Sequence, residues 1–141
     1  MKIHSIFLLI ILTISFLLCC NKQQNIKSQN IQIIELYVNE LWNNRNLALA
    51  DSIIGENFID PASDSLKKGP ESIKEIIASY MSIYPDIRIN IDEIVADENK
   101  VAWKWTAIGT NRNTGKQESF SGIIIDKIEE GKIVQRTGAW K

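Results

Sequence analysis

The spacing of the apolar residues changes once along this chain, and that change constrains the fold more than any other feature. Up to Tyr84 apolar side chains recur at helical intervals, and from Ile87 they alternate. Ile34, Tyr37, Val38 and Leu41 fall at i, i+3, i+4 and i+7, with Glu35, Asn39 and Glu40 on the opposite side. That pattern predicts an amphipathic helix over Ile31–Asn43. After the polar corner Asn44-Arg45-Asn46, a short second helix runs through Leu47, Ala50, Ile53 and Ile54 and is closed by Gly55. Phe58-Ile59-Asp60-Pro61 reads as extended, because a residue before proline avoids the helical region, and a polar loop follows over residues 62–68. A third helix opens at Gly69-Pro70-Glu71, with proline in the first turn and an acidic residue at the positive end of the dipole. Its buried stripe is Ile73, Ile76, Ile77, Tyr80 and Tyr84, and Pro85 stops it.

Ile87, Ile89 and Ile91 then alternate with Arg88, Asn90 and Asp92, the signature of a strand with one dry face. The adjacent pair Ile94-Val95 breaks the alternation and predicts a bulge there. Val101–Asn111, Phe120–Ile128 and Glu130–Val134 read as further strands, joined by hairpin loops at Asn111–Gly115 and Glu129–Lys132. Helices first and antiparallel strands afterwards predict an α+β domain with the helices on one sheet face.

Lys2 precedes an apolar run from Ile6 to Leu18 that is too short for a hydrocarbon core of ~30 Å but suits a signal peptide. An uncleaved anchor is the alternative. Leu17-Leu18-Cys19-Cys20 resembles a bacterial lipobox, with Cys20 as the acylated residue. That resemblance implies a signal peptide at 1–19, export, and attachment of the protein to a membrane of the cell envelope through its N-terminal lipid. Residues 20–30 are polar enough to serve as a flexible tether, which leaves 31–141 as one domain.

The composition excludes several kinds of chemistry. Sixteen Lys and Arg stand against seventeen Asp and Glu, a formal net charge of −1, with no basic cluster to hold a phosphate backbone, so nucleic acid is not an expected partner. The two cysteines are adjacent and build no disulfide framework. The only histidine is His4, within the signal segment. Histidine-based triads, the usual zinc sites and haem ligation by histidine are therefore not expected, and neither a metal nor a cofactor is. Acid–base chemistry falls to carboxylates, tyrosine or lysine.

Leu41-Trp42-Asn43 with Asn46-Leu47, Phe58-Ile59-Asp60, Gly69-Pro70-Glu71, Tyr84-Pro85-Asp86 and Trp105–Thr110 occur in an order that resembles the SnoaL-like polyketide cyclases, within the nuclear transport factor 2-like superfamily. The resemblance covers about Glu35–Val134. It implies a cone-shaped curved antiparallel sheet closed by three N-terminal helices around a cavity for a small apolar molecule. Phe58, Tyr80, Trp103, Trp105, Asn111, Phe120 and Ile124 are the expected lining. The cyclases carry an Asp in a Gly-x-Asp setting where this chain has Ile124, and commonly His where it has Pro61, Asn111 and Arg136. Ketosteroid isomerases give a second partial likeness: Asp60-Pro61 matches their general base and Tyr37-Val38 their oxyanion donor, while their second donor again falls on Ile124. Epoxide hydrolases of the limonene type place Arg and Asp two residues apart on a strand. Trp103-Lys104-Trp105 in the corresponding slot has no such pair.

Each candidate has two readings. Asp60 is a base or a turn-forming carboxylate; Tyr37 is a donor or a core ring. Asp126 shares the face of Ile124, one pleat or about 7 Å away, so it is either a second acid or a solvated ion pair. Trp103 and Trp105 form an aromatic wall or plain core. Ile108, Ile123, Ile125 and Val134 make the outer sheet face more apolar than solvation requires, which suggests a homodimer or partner surface. Two functions follow: a cavity that binds a small apolar molecule, with acid–base catalysis of the isomerase or cyclase type by Asp60, Tyr37 and Asp126, or a non-catalytic module for association.

Overall fold

A computed structural model describes residues 23–61 and 67–140. The expected signal peptide, Cys20 and most of the loop after Pro61 lie outside the described residues. Helix α1 is α-helical over residues 23–36 and continues as a π-helix over Tyr37–Asn43. A 3-10 turn, Leu47–Leu49, leads into α2, Ala50–Ile53. Helix α3, Pro70–Ile83, starts with proline as expected and buries Ile73, Ile76 and Ile77. Strands β1 (Arg88–Ala96), β2 (Lys100–Thr110), β3 (Gln117–Glu129) and β4 (Lys132–Trp140) form one antiparallel sheet in chain order. Three helices on a curved four-stranded sheet make the α+β, nuclear transport factor 2-like architecture.

The core lies between the helices and the inner sheet face. Ile34, Leu41, Ile54, Ile73, Ile77, Val101 and Ile133 are fully buried there, each side chain stabilising the fold by roughly 1.5–3 kcal/mol. Between α2 and α3, Ile54 and Gly55 reach β4, where the Gly55 amide donates to the Ile133 carbonyl at 2.9 Å. Gly69 holds φ +66° directly before α3, and a Cβ there would come within 2.7 Å of the Glu56 carbonyl oxygen. The β3–β4 turn places Glu130 and Gly131 at φ 50° and 77°, the left-handed pair that a two-residue hairpin requires.

Three expectations are corrected. Residues 23–30 were expected as part of a tether, and they are helical. They lack an apolar face of any size, but their polar side chains hold the β1–β2 turn instead. Gln23 Nε2 donates to Glu98 Oε1 at 2.7 Å, Lys27 pairs with Asp97 at 3.5 Å, and buried Asn30 donates to the carbonyls of Asp97 and Glu98 at 3.2 and 3.0 Å. The bulge in β1 falls at Asp92, between the pairs Ile91–Trp105 and Glu93–Lys104, and not at Ile94-Val95. Asp92 and Glu93 are both exposed, and Ile94 returns to the inner face. The last strand does not end at Val134. It runs to Trp140 because the ladder with β3 continues through Gly122–Trp140.

Candidate active site

The inner face of the sheet and the two longer helices line a half-open cavity of about 100 Å³. Strand alternation points Trp103, Trp105 and Ala107 of β2 inward, while Lys104 and Ile108 stay exposed. Phe120 and Ile124 of β3, Ile89 of β1 and Trp140 of β4 continue the wall, and Ile76 and Tyr80 of α3 close it. Tyr37 and Trp42 of α1 both line the cavity. Residues five apart on an α-helix point about 140° away from each other; the wider π turn brings these two to one side. Such insertions are frequent at functional sites.

One end of this cavity is polar. Arg136 is buried there, donating Nε to Asp126 Oδ1 at 2.8 Å and Nη2 to Asp126 Oδ2 at 3.1 Å. Its Nη1 donates to Tyr37 Oη at 2.7 Å and to Asp60 Oδ2 at 2.9 Å. Trp103 Nε1 donates to Asp126 Oδ2 at 2.9 Å. The guanidinium also lies over the Tyr37 ring, 4.5 Å from its centroid, and 5.6 Å from that of Phe58. Burial alone would lower the Arg136 pKa, but Asp126, helped by Tyr37 and Asp60, outweighs it and holds the guanidinium above its ordinary value. Burial raises the Tyr37 pKa above its ordinary 10.0, with Arg136 opposing and Asp60 reinforcing, so the ring remains a neutral phenol at physiological pH. Because Arg136 can only donate, the Tyr37 oxygen is the acceptor in that bond and its own hydrogen is directed elsewhere. The cluster thus sets two carboxyl groups against one guanidinium.

A β-bulge puts Arg136 in this place. Ile128 pairs with Ile133 and Lys127 with Gln135, which leaves Val134 as the extra residue. Ile133 and Arg136 are three apart and would face opposite ways on a regular strand, yet both are buried.

The three residues expected to be catalytic therefore meet around a fourth. Asp60 and Tyr37 line the cavity, whereas Asp126 does not. It is wholly buried behind Arg136 and Trp103, so its expected role as a second acid facing a ligand is replaced by one in holding Arg136. Of the expected lining, Tyr80, Trp103, Trp105, Phe120 and Ile124 are in place. Phe58 is core packing beneath Arg136, and Asn111 lies in the β2–β3 turn, where its amide donates to Glu118 at 3.1 Å. Trp42, Trp140 and Arg136 are lining residues that sequence reasoning did not single out. The indole nitrogen of Trp105 is buried and has no hydrogen-bond partner among the described residues, which costs about 1–3 kcal/mol. Among the described residues, no group of three or more His, Cys, Asp or Glu side chains could hold a metal ion, and no helix is long and apolar enough to cross a membrane.

Residues 32–140 match the model of the SnoaL-like polyketide cyclase family. The chain belongs to that family. Solved structures agree in fold. TsrD from Streptomyces laurentii superposes with a TM-score of 0.73 at 19% identity, covering 81% of this chain and 89% of that one. A SnoaL-like polyketide cyclase from Agrobacterium tumefaciens gives a TM-score of 0.66 at 15% identity, over 77% and 88% of the two chains. An LEH-like epoxide hydrolase from M. tuberculosis gives 0.65 at 16% identity, over 82% and 84%. No curated relative matches the chain.

Proposed function

We propose that this is an exported, lipid-anchored SnoaL-like protein whose cavity binds a small apolar molecule and performs cofactor-free acid–base chemistry on it, of the isomerase or cyclase type. The observation that supports this reading is the convergence of Asp60, Tyr37 and Arg136 at one end of an otherwise aromatic and aliphatic cavity. Removing a proton beside a carbonyl needs a carboxylate near the carbon and a donor where negative charge develops on oxygen. In this proposal Asp60 is the base and Tyr37 the donor. Arg136 positions both from a single nitrogen, and its hydrogen bond to the phenol oxygen strengthens Tyr37 as a donor. A donor of this kind in a dry site is worth roughly 3 kcal/mol. Asp126 and Trp103 hold the guanidinium in place from behind. Export and lipidation rest on Lys2, the apolar run and Cys20.

The test is deuterium incorporation beside the carbonyl of small ketones incubated with the protein in heavy water. Catalysed exchange that falls about 100-fold in Asp60→Asn, with circular dichroism unchanged, is expected. Equal exchange in the two proteins, or none above solvent, would remove Asp60 as a base. For the anchor, labelling by a palmitate analogue that disappears in Cys20→Ser is expected.

The outer sheet face supports a second reading, association with a second copy. Ile108, Ile123 and Ile125 are 47%, 57% and 45% exposed. Sedimentation of Ile123→Lys beside the unmodified chain separates the two: a dimer lost in the variant supports association, while a monomer in both excludes it.

A further inference from the structure

We infer that Trp105 Nε1 is a second polar anchor of the cavity, away from the Tyr37–Asp60 end, and that the ligand is a small neutral ring compound bearing a hydrogen-bond acceptor there, such as a carbonyl oxygen. The inference rests on the proposed ligand cavity and specifies what enters it. Trp105 lines that cavity between the larger core and the smaller cluster around Tyr84 and Ile87. Its indole nitrogen is buried without a partner among the described residues, whereas the Trp103 nitrogen is bound to Asp126. An indole N–H can only donate, so it selects an acceptor.

The neighbouring backbone is shaped to the Trp105 ring. Gly122 is its partner across the β2–β3 ladder, and a Cβ at that position would come within 2.9 Å of Trp105 Cζ2. The glycine leaves the room that the indole occupies beside the strand. The charge of the ligand follows from the other end. Arg136 is matched by two carboxylates, Asp60 and Asp126, and among the described residues no other cationic side chain lines the cavity. An anion would meet two carboxyl groups at that end, with Arg136 already bound to both, so a neutral molecule is favoured. The cavity volume of about 100 Å³ matches the scale of a single ring, given that an engineered apolar cavity of about 150 Å³ holds benzene.

The probes are acetophenone, ethylbenzene and benzoate: the same ring with an acceptor, without one, and with a negative charge. The protein is the mature chain, residues 20–141, with Cys20→Ser so that it carries no lipid. Calorimetry is expected to show acetophenone binding at least tenfold tighter than either other probe, and Trp105→Phe is expected to abolish its advantage over ethylbenzene. In proton–nitrogen spectra the Trp105 indole resonance, assigned by its loss in Trp105→Phe, should move downfield with acetophenone and not with ethylbenzene. Equal affinity for acetophenone and ethylbenzene, tighter binding of benzoate, or an unmoved Trp105 resonance would overturn the inference while leaving a ligand cavity standing. Binding of none of the three would overturn the inference and count against the cavity reading as well.

Discussion

Arg136 stands directly across the β3–β4 ladder from Asp126 and grips it side-on with two hydrogen bonds of 2.8 and 3.1 Å. This contact is buried. It fixes the guanidinium so that the remaining nitrogen can hold Tyr37 and Asp60 at the end of the cavity. A planar, bidentate contact of this kind defines orientation as well as distance.

Replacing Arg136 by Met leaves two buried carboxylates without their cation. The expected loss is about 3–5 kcal/mol of unfolding free energy, read from urea denaturation. Arg136→Lys should recover only part of it, because an ammonium cannot reproduce the side-on contact with Asp126 while also reaching Tyr37 and Asp60. A variant as stable as the original protein would show that the pair is dispensable.

Stability should fall on the alkaline side. The folded pKa of Tyr37 is raised above 10.0 by burial, and that of Tyr84 is raised by its hydrogen bond to Glu118. A raised folded pKa means stability that is complete below the unfolded value and lost as pH climbs through the folded one. Melting temperature should thus decline above about pH 10, and Tyr37→Phe should make the decline shallower. On the acid side the sign is reversed. Asp86 is lowered by the Thr110 amide and hydroxyl, and Asp92 by Thr106 and Asn90, so their contributions are lost as pH falls below the ordinary 3.8.

Gly122→Ala should destabilise by roughly 1–3 kcal/mol through overpacking. Its Cβ would meet the Ala139 carbonyl oxygen at 2.7 Å and both Trp140 Cβ and Trp105 Cζ2 at 2.9 Å. Since the Trp105 ring must move, its fluorescence spectrum should shift in the folded variant. An unchanged spectrum with unchanged stability would mean that the strands separate without strain.

Asn30→Ala removes two hydrogen bonds that join α1 to the β1–β2 turn, an expected cost of about 1–2 kcal/mol. Amide exchange should speed up over residues 23–30, at Asp97–Lys100 and at Ile128, whose amide donates to the Asn99 carbonyl, and nowhere else in β3. Exchange already fast over 23–30 in the unmodified chain would restore the tether.

Much of the architecture was legible because burial obeys two simple periods. The stripe Ile73, Ile76, Ile77 marks α3, and the alternation through Val101, Trp103 and Ala107 marks β2. The start of α1 was not legible, because residues 23–30 are held by polar contacts to a turn some seventy positions later (67 from Asn30 to Asp97), and hydropathy carries no trace of such contacts. The end of β4 was hidden for a related reason. Gln135, Arg136, Thr137 and Gly138 show no alternation, and the bulge at Val134 shifts the phase. Arg136 itself stood out in the sequence only as a position where the cyclases commonly carry His. Its inward placement depends on Asp126, 10 positions earlier, and Asp60, 76 positions earlier. Asp60 and Tyr37 were singled out through likeness to ketosteroid isomerases, and the structure brings them together through this arginine.

The central claim, that the cavity binds a small apolar ligand, is tested most directly by titrating the tryptophan fluorescence of residues 21–141 with single-ring and fused-ring phenols and ketones. Trp42, Trp103, Trp105 and Trp140 all line the cavity and are the only four tryptophans in the chain, so an occupant must change their emission. Saturable quenching by at least one ligand class, lost in a folded Trp105→Ala variant, is the predicted result. No change from any compound would contradict it.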